Sequence, residues 1–443
     1  MTAPTIDPAA TRERDRRFVW HPYQPTDRWL NPPFEPPVIA EAEGVWLTTA
    51  EGDRLIDGVG SWWVSNLGHG HPRVRAAMHE QLDRMCHVAM AGLVHEPAVR
   101  LAERLVAATP PGLDHVFYSD DSSTAVEVAI RAAFQYWQQN GAPERTVFLS
   151  LAGAYHGDTI GTVSVGGIPL FHRVFGPLTF ETIQVPSPAV RPDDDWHVEA
   201  FDALETRLRA EAHRVAAVVI EPLVQGAAGM LMYPPSYLAR LRALCDELDV
   251  FLIADEVFVG FGRTGTLFAC EQAGITPDLM CLSKGLTGGA LPFAATLATG
   301  RIFDGFRGGG DRTFFYGHSY CGNPLACAAA NAVLDAFEQD DVLAASHARA
   351  EEMADALVRI GEHPGVSRTR QTGLIGAVQL GDGSSDYASE LGWRVYKAAL
   401  DRGAYLRPLG NVIYFVPALT IEPDELAQLM HIAEAAITEA TPA

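Results

Sequence analysis

Two acids and a lysine near the middle of the sequence each stand just beyond a short apolar run. The run 251–254 ends in Asp255 and Glu256, and the run 279–282 is followed closely by Lys284. Apolar runs of this length are typical of buried strands in a parallel sheet. In open α/β sheets the ligand lies beyond the carboxyl ends of the strands, so Asp255 and Lys284 could face one ligand. Taken alone, such a pair is more often two unrelated surface charges.

An acid and a lysine in this arrangement suit the chemistry of pyridoxal phosphate. The amine of Lys284 could form a Schiff base with the aldehyde of that cofactor. Asp255 could keep the pyridine nitrogen protonated, so that the ring withdraws electrons from the reacting carbon. The motifs that follow favour this interpretation over two surface charges.

A phosphate could be held where a predicted strand gives way to a predicted helix. Ser122 and Ser123 would stand in the first turn of that helix, where free N–H groups and the helix dipole favour an anion. Hydroxyls at such positions more often serve as ordinary N-caps. The neighbouring Asp120 and Asp121 disfavour an anion unless their side chains point away.

Two further strand ends could hold the faces of a planar ring. Tyr155 follows a predicted strand and could stack on the ring, and Gly157 permits a close approach of the backbone. Val257 lies two residues beyond Asp255 and could cover the opposite face, an assignment that rests on spacing alone. A tyrosine at a strand end can equally be a half-buried packing residue.

A glycine-punctuated aromatic loop at 314–324 precedes an alanine-rich helix. Its Gly317, His318 and Ser319 lie where a hydroxyl or an amide could reach a phosphate. The same loop could also be no more than the entry to the helix.

Three other residues are candidates for a substrate pocket. Trp62 and Trp63 are adjacent, so in an extended segment they face opposite sides, one towards the core and the other towards a pocket. Arg407 stands at the end of a predicted strand and could bind a carboxylate through two hydrogen bonds. The alternative for Arg407 is an ordinary surface charge.

The elements that must position these residues alternate between strand and helix from about residue 110 to 325. This alternation predicts a mainly parallel sheet with helices on both faces. The strands are predicted at 115–118, 146–149, 215–220, 251–254 and 279–282, and the helices at 124–139 and 237–248. The remainder, from a long alanine-rich helix that ends near residue 339, predicts a compact α+β domain. It has helices near 343–360, 385–402 and 423–438, and strands near 374–380, 404–407 and 411–415.

The amino-terminal part has a different character. Residues 1–35 are rich in proline and are predicted to be irregular, and the prolines between 32 and 37 exclude regular structure there. A small β-hairpin is predicted between residues 45 and 57. Helices are predicted at 72–84 and 96–108.

Composition limits the classes of function. The chain has 443 residues, 48% of them hydrophobic, and a formal net charge of −22 without a basic run, which argues against nucleic acid or an anionic membrane as a partner. The six cysteines form no CxxC pair and show no zinc spacing, so no metal site is expected. The first twenty residues contain no apolar signal-peptide segment, and no run is long enough to span a membrane, so the cytoplasm is the expected compartment.

Together the motifs resemble those of the class III, fold-type I, pyridoxal-phosphate aminotransferases, from about residue 20 to the end of the chain. The matching stretches are Tyr155-His156-Gly157, Glu221-Pro222 with Gln225-Gly226, Asp255-Glu256-Val257 with the run 260–265 (GFGRTG), Ser283-Lys284-Gly285, and Gly322-Asn323-Pro324. The resemblance implies an α/β fold with a large cofactor-binding domain at 71–330 around a mainly parallel, seven-stranded type of sheet flanked by helices. A smaller α+β domain would be built from both chain ends, 1–70 and 331–443.

The resemblance also implies a role for each matching residue. Lys284 would be the Schiff-base lysine and Asp255 the partner of the pyridine nitrogen. Tyr155 and Val257 would enclose the ring, and Ser122 and Ser123 would hold the phosphate. Ser319, with His318 beside it, would reach the phosphate from the other subunit of a homodimer whose active sites lie at the interface.

Within the class, the chain is most similar to the branch that aminates 8-amino-7-oxononanoate to 7,8-diaminononanoate in biotin synthesis. The stretches that carry this similarity are Trp20-His21-Pro22-Tyr23, Ser61-Trp62-Trp63, Gln135-Tyr136-Trp137, Tyr155-His156-Gly157-Asp158 and Arg407-Pro408-Leu409-Gly410. The similarity implies a catalytic part for Tyr23. It also implies that the substrate is bound by Tyr23, Trp62, Tyr155, Asp158, Gly317 and Arg407, with Arg407 on its carboxylate. Ser319 stands where threonine is usual and His318 where proline is common, while Phe258 and Val259 replace smaller residues.

Other functions remain open at this stage. A broad ω-amine or ω-amino-acid:pyruvate aminotransferase shares all the cofactor motifs but has less need of a fixed carboxylate clamp. A non-catalytic scaffold derived from the fold is disfavoured by the presence of Lys284. S-adenosylmethionine is the usual amino donor in the branch and lysine occurs in some relatives, and no residue here decides between them.

Overall fold

The computed structural model describes residues 6–189, 196–383, 387 and 389–441 of the chain. The helices are α1 (Pro8–Phe18), α2 (Thr26–Leu30), α3 (Gly60–Trp63), α4 (Pro72–Arg84), α5 (Glu96–Ala108), α6 (Ser122–Gln139), α7 (Ile160–Val165), α8 (Pro169–His172), α9 (Trp196–Glu211), α10 (Pro235–Glu247), α11 (Gly300–Asp304), α12 (Pro324–Gln339), α13 (Val342–Gly361), α14 (Glu390–Leu400) and α15 (Pro423–Ala440). The strands are β1 (Ile39–Glu43), β2 (Trp46–Thr49), β3 (Arg54–Asp57), β4 (Leu113–Ser119), β5 (Val147–Leu151), β6 (Thr182–Val185), β7 (Val215–Ile220), β8 (Val224–Gln225), β9 (Leu231–Met232), β10 (Phe251–Asp255), β11 (Leu279–Leu282), β12 (Ala294–Thr299), β13 (Val366–Thr372), β14 (Ile375–Leu380), β15 (Ala404–Tyr405) and β16 (Val412–Phe415).

The main sheet has seven strands in the order β4-β12-β11-β10-β7-β5-β6. Strand β12 runs antiparallel to both of its neighbours, whereas the pairs β11–β10, β10–β7, β7–β5 and β5–β6 are parallel. The predicted mainly parallel sheet is therefore confirmed. Its central strands are fully buried, since helices cover both faces and every residue of β7 and β10 is shielded from solvent.

Register within this sheet places the predicted acid and lysine side by side. Asp255, the last residue of β10, is the register partner of Cys281 in β11. Lys284 therefore lies just beyond the end of the neighbouring strand. Strand β7 ends at Ile220 on the other side of β10, which brings Glu221 to the same edge.

Two smaller sheets join parts of the chain that are distant in sequence. Strands β1, β2 and β3 form one sheet with β15, so residues near 50 pair with residues near 405. Strands β13, β14 and β16 form an antiparallel sheet that α13 packs against. These pairings support a smaller unit built from both chain ends. Its division from the large domain at residues 70 and 330 stays a prediction, because α12 packs against α4 and α5 across that boundary.

The expectation of an irregular segment over residues 1–35 was wrong for 8–18 and for 26–30, which form α1 and α2. Asp7 caps α1 by accepting a hydrogen bond from the backbone N–H of Ala10, and Pro8 occupies the first helical turn, where its missing N–H costs nothing. The alanines and arginines that make up most of the rest of α1 are good helix formers. Regular structure is absent between Asn31 and Val38, as the prolines there predict.

Among the described residues no helix is both long enough and apolar enough to cross a membrane.

Candidate active site

A pocket of about 1060 Å³ opens at the carboxyl ends of the central strands. Its lining includes almost every residue that the sequence singled out for cofactor or substrate. These are Tyr23, Trp62, Ser122, Ser123, Tyr155, Asp158, Asp255, Val257, Lys284 and Arg407. The lining comes from chain positions almost 390 residues apart, so only the tertiary fold assembles it.

Lys284 lies at the floor of the pocket with a strained backbone. Its φ angle is +42°, in the left-handed region that non-glycine residues rarely adopt and that is common at functional sites. Burial lowers the pKa of its amine to about 8, although the carboxylates of Asp255 and Glu221 act in the opposite direction. A larger share of the amine is therefore neutral, and able to act as a nucleophile, than for an ordinary lysine.

Asp255 is oriented by two hydrogen bonds. Its Oδ1 accepts from the backbone N–H of Val257 at 3.1 Å, and its Oδ2 pairs with Nδ1 of His156 at 2.8 Å. Both side chains are buried, and Nε2 of His156 has no hydrogen-bond partner among the described residues. The carboxylate is therefore held in place at the pocket floor, and it can accept a hydrogen bond from one more donor.

Glu221 is a third buried acid at the same edge of the sheet, and no role was predicted for it from the sequence. Its two carboxylate oxygens accept the backbone N–H groups of Tyr155 and Gly226 at 3.1 and 2.9 Å. Burial raises the pKa of Glu221 to about 7. The side chain thereby fixes the backbone that carries Tyr155. Its position at the end of a predicted strand was the available signal.

The predicted phosphate site lies at the start of α6. Asp121 is the N-cap of this helix, and its carboxylate accepts the backbone N–H of Thr124 at 2.9 Å, so it serves the helix itself. The carboxylate of Asp120 faces His318, whose Nδ1 lies 3.2 Å away. The two acids that counted against an anion therefore have other partners, although Asp121 lines the pocket together with Ser122 and Ser123.

Position 157 requires a glycine because the backbone there lies very close to the start of α6. Its φ angle is +126°, and a Cβ atom there would lie 2.4 Å from Oγ of Ser123 and 2.8 Å from its Cα. Oγ of Ser123 accepts the backbone N–H of Asp158 at 3.0 Å. The predicted close backbone approach is present, and it is made to Ser123.

The outer wall of the pocket contains a hydrogen-bonded cluster of two phenols and one carboxylate. The hydroxyl of Tyr23 donates to Oδ1 of Asp158 at 2.7 Å, and that of Tyr155 donates to Oδ2 at the same distance. The two phenol oxygens are 3.1 Å apart. Burial, above all, raises the pKa of both tyrosines, which therefore stay protonated at neutral pH.

Trp62 and Trp63 differ in burial as predicted, but both of them line the pocket. The segment is not extended, because Ser61, Trp62 and Trp63 all have positive φ angles, of 61°, 137° and 70°. Trp63 is only 6% exposed and packs in the core, whereas Trp62 is 38% exposed. This strained turn has no recognisable signal in the sequence.

Arg407 is a cation without a charged partner in the described part of the chain. Its guanidinium lies over the ring of Trp62, 4.9 Å from the centroid, and makes no ion pair or hydrogen bond there. Most arginines elsewhere in this acidic protein are paired with carboxylates. The guanidinium is therefore available to an anionic ligand in the pocket.

Two aromatic wall residues were missed at the sequence level. The ring of Phe171 packs edge-on against Tyr23 and Tyr387, with centroids 5.3 and 5.1 Å apart. Both Phe171 and Tyr387 line the pocket. Neither belongs to a motif, and each reaches the site only through tertiary packing.

Gly317, His318 and Ser319 do not line this pocket in the single chain. Their loop packs on the segment before α5, where Asn323 contacts His87 and the rings of His87 and Tyr320 are 4.7 Å apart. Their parts in cofactor and substrate binding stay predictions, which a second subunit would have to test.

The side chains present fit pyridoxal phosphate. A lysine amine without an ion-pair partner, a fixed carboxylate and a helix amino terminus with two serines line one cavity. Tyr155 and Val257 stand between them. These groups match the aldehyde, the ring nitrogen, the phosphate and the two ring faces of that molecule.

The fold and this site define an aminotransferase, and the chain belongs to the class-III aminotransferase family, whose profile matches residues 31–437. An adenosylmethionine-8-amino-7-oxononanoate aminotransferase of Geobacter sulfurreducens is 45% identical over 99% of this chain and 99% of its own length. The solved structure of the enzyme of that name from Methanocaldococcus jannaschii superposes with a TM-score of 0.93, at 35% identity over 98% of this chain and 99% of that one. An (S)-enantioselective omega-transaminase from Thermomicrobium roseum also reaches 0.93, at 31% identity over 99% of this chain and 100% of its own.

Proposed function

We propose that this chain is a pyridoxal-phosphate enzyme that transfers an amino group to 8-amino-7-oxononanoate, giving 7,8-diaminononanoate for biotin synthesis. The observation that carries the substrate assignment is the unpaired guanidinium of Arg407, which shares a pocket with Lys284. The 45% identity to relatives of that activity over nearly the whole chain supports it. S-adenosylmethionine is the proposed amino donor.

When bound, pyridoxal phosphate supplies the electron-withdrawing ring that makes a carbon–hydrogen bond next to the amine acidic. Lys284 would hold the cofactor through Nζ at rest. Once free, its amine would remove a proton from the donor carbon that bears the amine and return a proton on the cofactor side. The pKa of about 8 lets Lys284 act as base and acid in turn near neutral pH.

The other floor residues hold the cofactor in place. Asp255, fixed by His156 and the N–H of Val257, keeps a proton on the ring nitrogen through a charge-assisted hydrogen bond. Ser122 and Ser123 bind the phosphate at the amino terminus of α6. Tyr155 and Val257 enclose the ring, and their apolar surfaces exclude water from it.

The wall residues bind the substrate. Arg407 binds the carboxylate at one end of the keto acid, while Trp62 and Tyr23 contact the alkyl chain of this substrate. Asp158, held by the hydroxyls of Tyr23 and Tyr155, accepts a hydrogen bond from the amine beside the ketone. Tyr23 thereby helps to orient the reacting carbon towards Lys284.

We propose a homodimer in which Gly317, His318 and Ser319 complete the site of the other subunit. Support comes from exposed apolar side chains on this loop and on the segment that it packs against: Phe315 is 82% exposed and Val94 84%. Large apolar side chains exposed on neighbouring segments are typical of protein interfaces.

Mixing two inactive variants tests the dimer. Ser319→Asp should repel the phosphate, and Lys284→Ala should abolish proton transfer. In a mixed dimer one site keeps Lys284 and receives the intact Ser319 from its neighbour, so activity returns when the two variants are refolded together. If Ser319 serves its own subunit, or if the protein is a monomer, mixing restores nothing.

The second candidate is an amine transaminase of broad specificity, favoured by the TM-score of 0.93 to the Thermomicrobium roseum enzyme. The two candidates differ in the required acceptor. The assay follows conversion of the bound cofactor to its amine form with several donors, and then its return with either 8-amino-7-oxononanoate or pyruvate. Efficient return with the long keto acid is expected, and return with pyruvate alone would favour the second candidate.

A further inference from the structure

The amine of Lys284 lies against two aromatic rings. Its Nζ is 4.5 Å from the centroid of Trp63 and 5.5 Å from that of Phe258, distances at which an ammonium is attracted to a ring face. Within the described part of the chain it makes no hydrogen bond and no ion pair. The two rings are therefore its nearest favourable partners.

The two rings are held rigidly. Their centroids are 4.6 Å apart, and the ring of Trp63 packs edge-on against Tyr414, which is fully buried. Phe258 rests on Gly226, where a Cβ atom would come within 3.0 Å of Cδ1 of Phe258. Both rings are less than 8% exposed. Neither ring can move away from the lysine without repacking the core.

We propose that Trp63 and Phe258 form an aromatic seat that holds the amine of Lys284 whenever this lysine is not bonded to the cofactor. Phe258 is thus a positioning residue that acts through Lys284. The proposal rests on the aminotransferase function, because that reaction releases the lysine in each half-reaction and requires it to stay beside the reacting carbon.

Aromatic rings are better suited than a carboxylate to hold the amine of Lys284, because this amine has to carry protons. In a pocket of about 1060 Å³ a free lysine side chain could sample many rotamers, and ordering it costs conformational entropy. A carboxylate in contact would hold the ammonium firmly and oppose loss of its proton. Ring faces attract the ammonium more weakly, so the side chain is confined while its proton stays transferable.

The charged groups that face Lys284 come from two strand ends. Asp255 at the end of β10 and Glu221 after β7 both raise the pKa of Lys284, and burial lowers it by more. Removing a ring face should destabilise the ammonium further and lower this pKa again. Opening the site to water would instead raise the pKa, so the sign of the change distinguishes the two effects.

The lysine content of the chain makes the measurement direct. Lys284 and Lys397 are the only two lysines in the sequence. Competitive labelling of amines across about pH 6 to 11, read by mass spectrometry, therefore gives the pKa of Lys284 with Lys397 as an internal reference. The protein is loaded with the pyridoxamine form of the cofactor, which carries no aldehyde and leaves Lys284 free.

Phe258→Leu is expected to lower the pKa of Lys284 by about half a unit to one unit, from the usual strength of a cation–π contact. Phe258→Tyr keeps the ring face and should keep the pKa. Phe171→Leu, a change in the outer wall away from Lys284, is the matched control and should also leave it unchanged. Far-ultraviolet circular dichroism confirms that each variant is folded.

An unchanged or raised pKa of Lys284 in folded Phe258→Leu would contradict the proposal. The proposal would also be contradicted if Phe258→Tyr lowered this pKa as much as Phe258→Leu does, because loss of the ring face could then not be the cause. Neither result bears on whether the protein aminates a keto acid. Conversely, a lowered pKa in a protein that transfers no amine would refute the proposed function without removing the contact between ring and amine.

Discussion

The floor and the wall of the pocket are built in different ways. The floor, formed by His156, Glu221, Asp255 and Lys284, lies at the ends of strands in one sheet, and hydrogen bonds fix each of its acids. The wall, formed by Tyr23, Trp62, Phe171, Tyr387 and Arg407, comes from five separate segments, one of them near the amino terminus. It is held by ring packing and by one cluster around Asp158.

This difference in construction suggests that the floor carries out the chemistry and that the wall selects the substrate. Strand ends in a rigid sheet keep the acid and the lysine in a fixed relation, which a cofactor with one geometry requires. Loops and chain ends can change shape without disturbing that relation, so they are suited to selecting a substrate. Floor variants should therefore affect every substrate equally, and wall variants should affect only those that carry the recognised group.

The largest effect is expected from Lys284→Ala in the floor. Loss of both the covalent link and the proton carrier should lower turnover by at least about a thousandfold with every donor, since positioned acid–base groups contribute roughly 10²–10⁴-fold. Single-turnover spectra of the cofactor measure this. Lys397→Ala, which removes the only other lysine from an exposed position on α14, is the matched control and should be fully active. Substantial turnover by Lys284→Ala would remove this residue from the mechanism.

Asp255→Asn should come next. A neutral amide cannot keep the ring nitrogen protonated, and it replaces a carboxylate oxygen that lies 2.8 Å from Nδ1 of His156. Loss of one preorganised electrostatic contact in an active site typically costs about a hundredfold to a thousandfold in rate, so both half-reactions should slow by roughly that factor. Rates for a simple amine and for the keto acid should fall together. A loss confined to one substrate would place Asp255 in the wall.

Arg407→Ala tests the wall. A charge-assisted hydrogen bond to a carboxylate contributes roughly 1.5–3 kcal/mol, so kcat/KM for 8-amino-7-oxononanoate should fall about ten- to a hundredfold. An uncharged amine donor should react at nearly the original rate. Arg407→Lys keeps the charge without the paired donors and should lie between the two. Equal handling of the keto acid by Arg407→Ala would make the broad amine transaminase the better assignment.

The smallest effect is expected in the pH dependence of the rate at which Lys284 bonds to added cofactor. Only the neutral amine of Lys284 can bond to added pyridoxal phosphate, and burial lowers its pKa to about 8. The rate of reconstitution should therefore rise roughly fivefold from pH 7 to 8 and less than about twofold from pH 8 to 9. An exposed lysine would instead gain about tenfold at each step. A tenfold gain in the second step would show that burial does not depress the pKa.

Asp255 and Lys284 in the floor could be predicted from the sequence, whereas the roles of His156 and Glu221 could not. Short apolar runs that end in Asp255, Glu221 or a lysine predict parallel strands whose ends share one edge, because the ligand side of such a sheet is set by strand direction. Helix α6 was predicted to begin at residue 124, and the structure places its start two residues earlier, at Ser122, after the cap at Asp121. Each of these inferences needs only local pattern and one rule of topology.

The family resemblance indicated Tyr23, Trp62 and Arg407 as wall residues, but the contacts within the wall could be seen only in the tertiary structure. Tyr23 meets Asp158 across 135 residues, and Phe171 and Tyr387 carry no motif that marks them. The left-handed turn at Ser61, Trp62 and Trp63, and the seat that Trp63 and Phe258 make for Lys284, depend on packing against elements far away in the chain. Periodicity reports which face of an element is buried, but not which distant side chain lies against it.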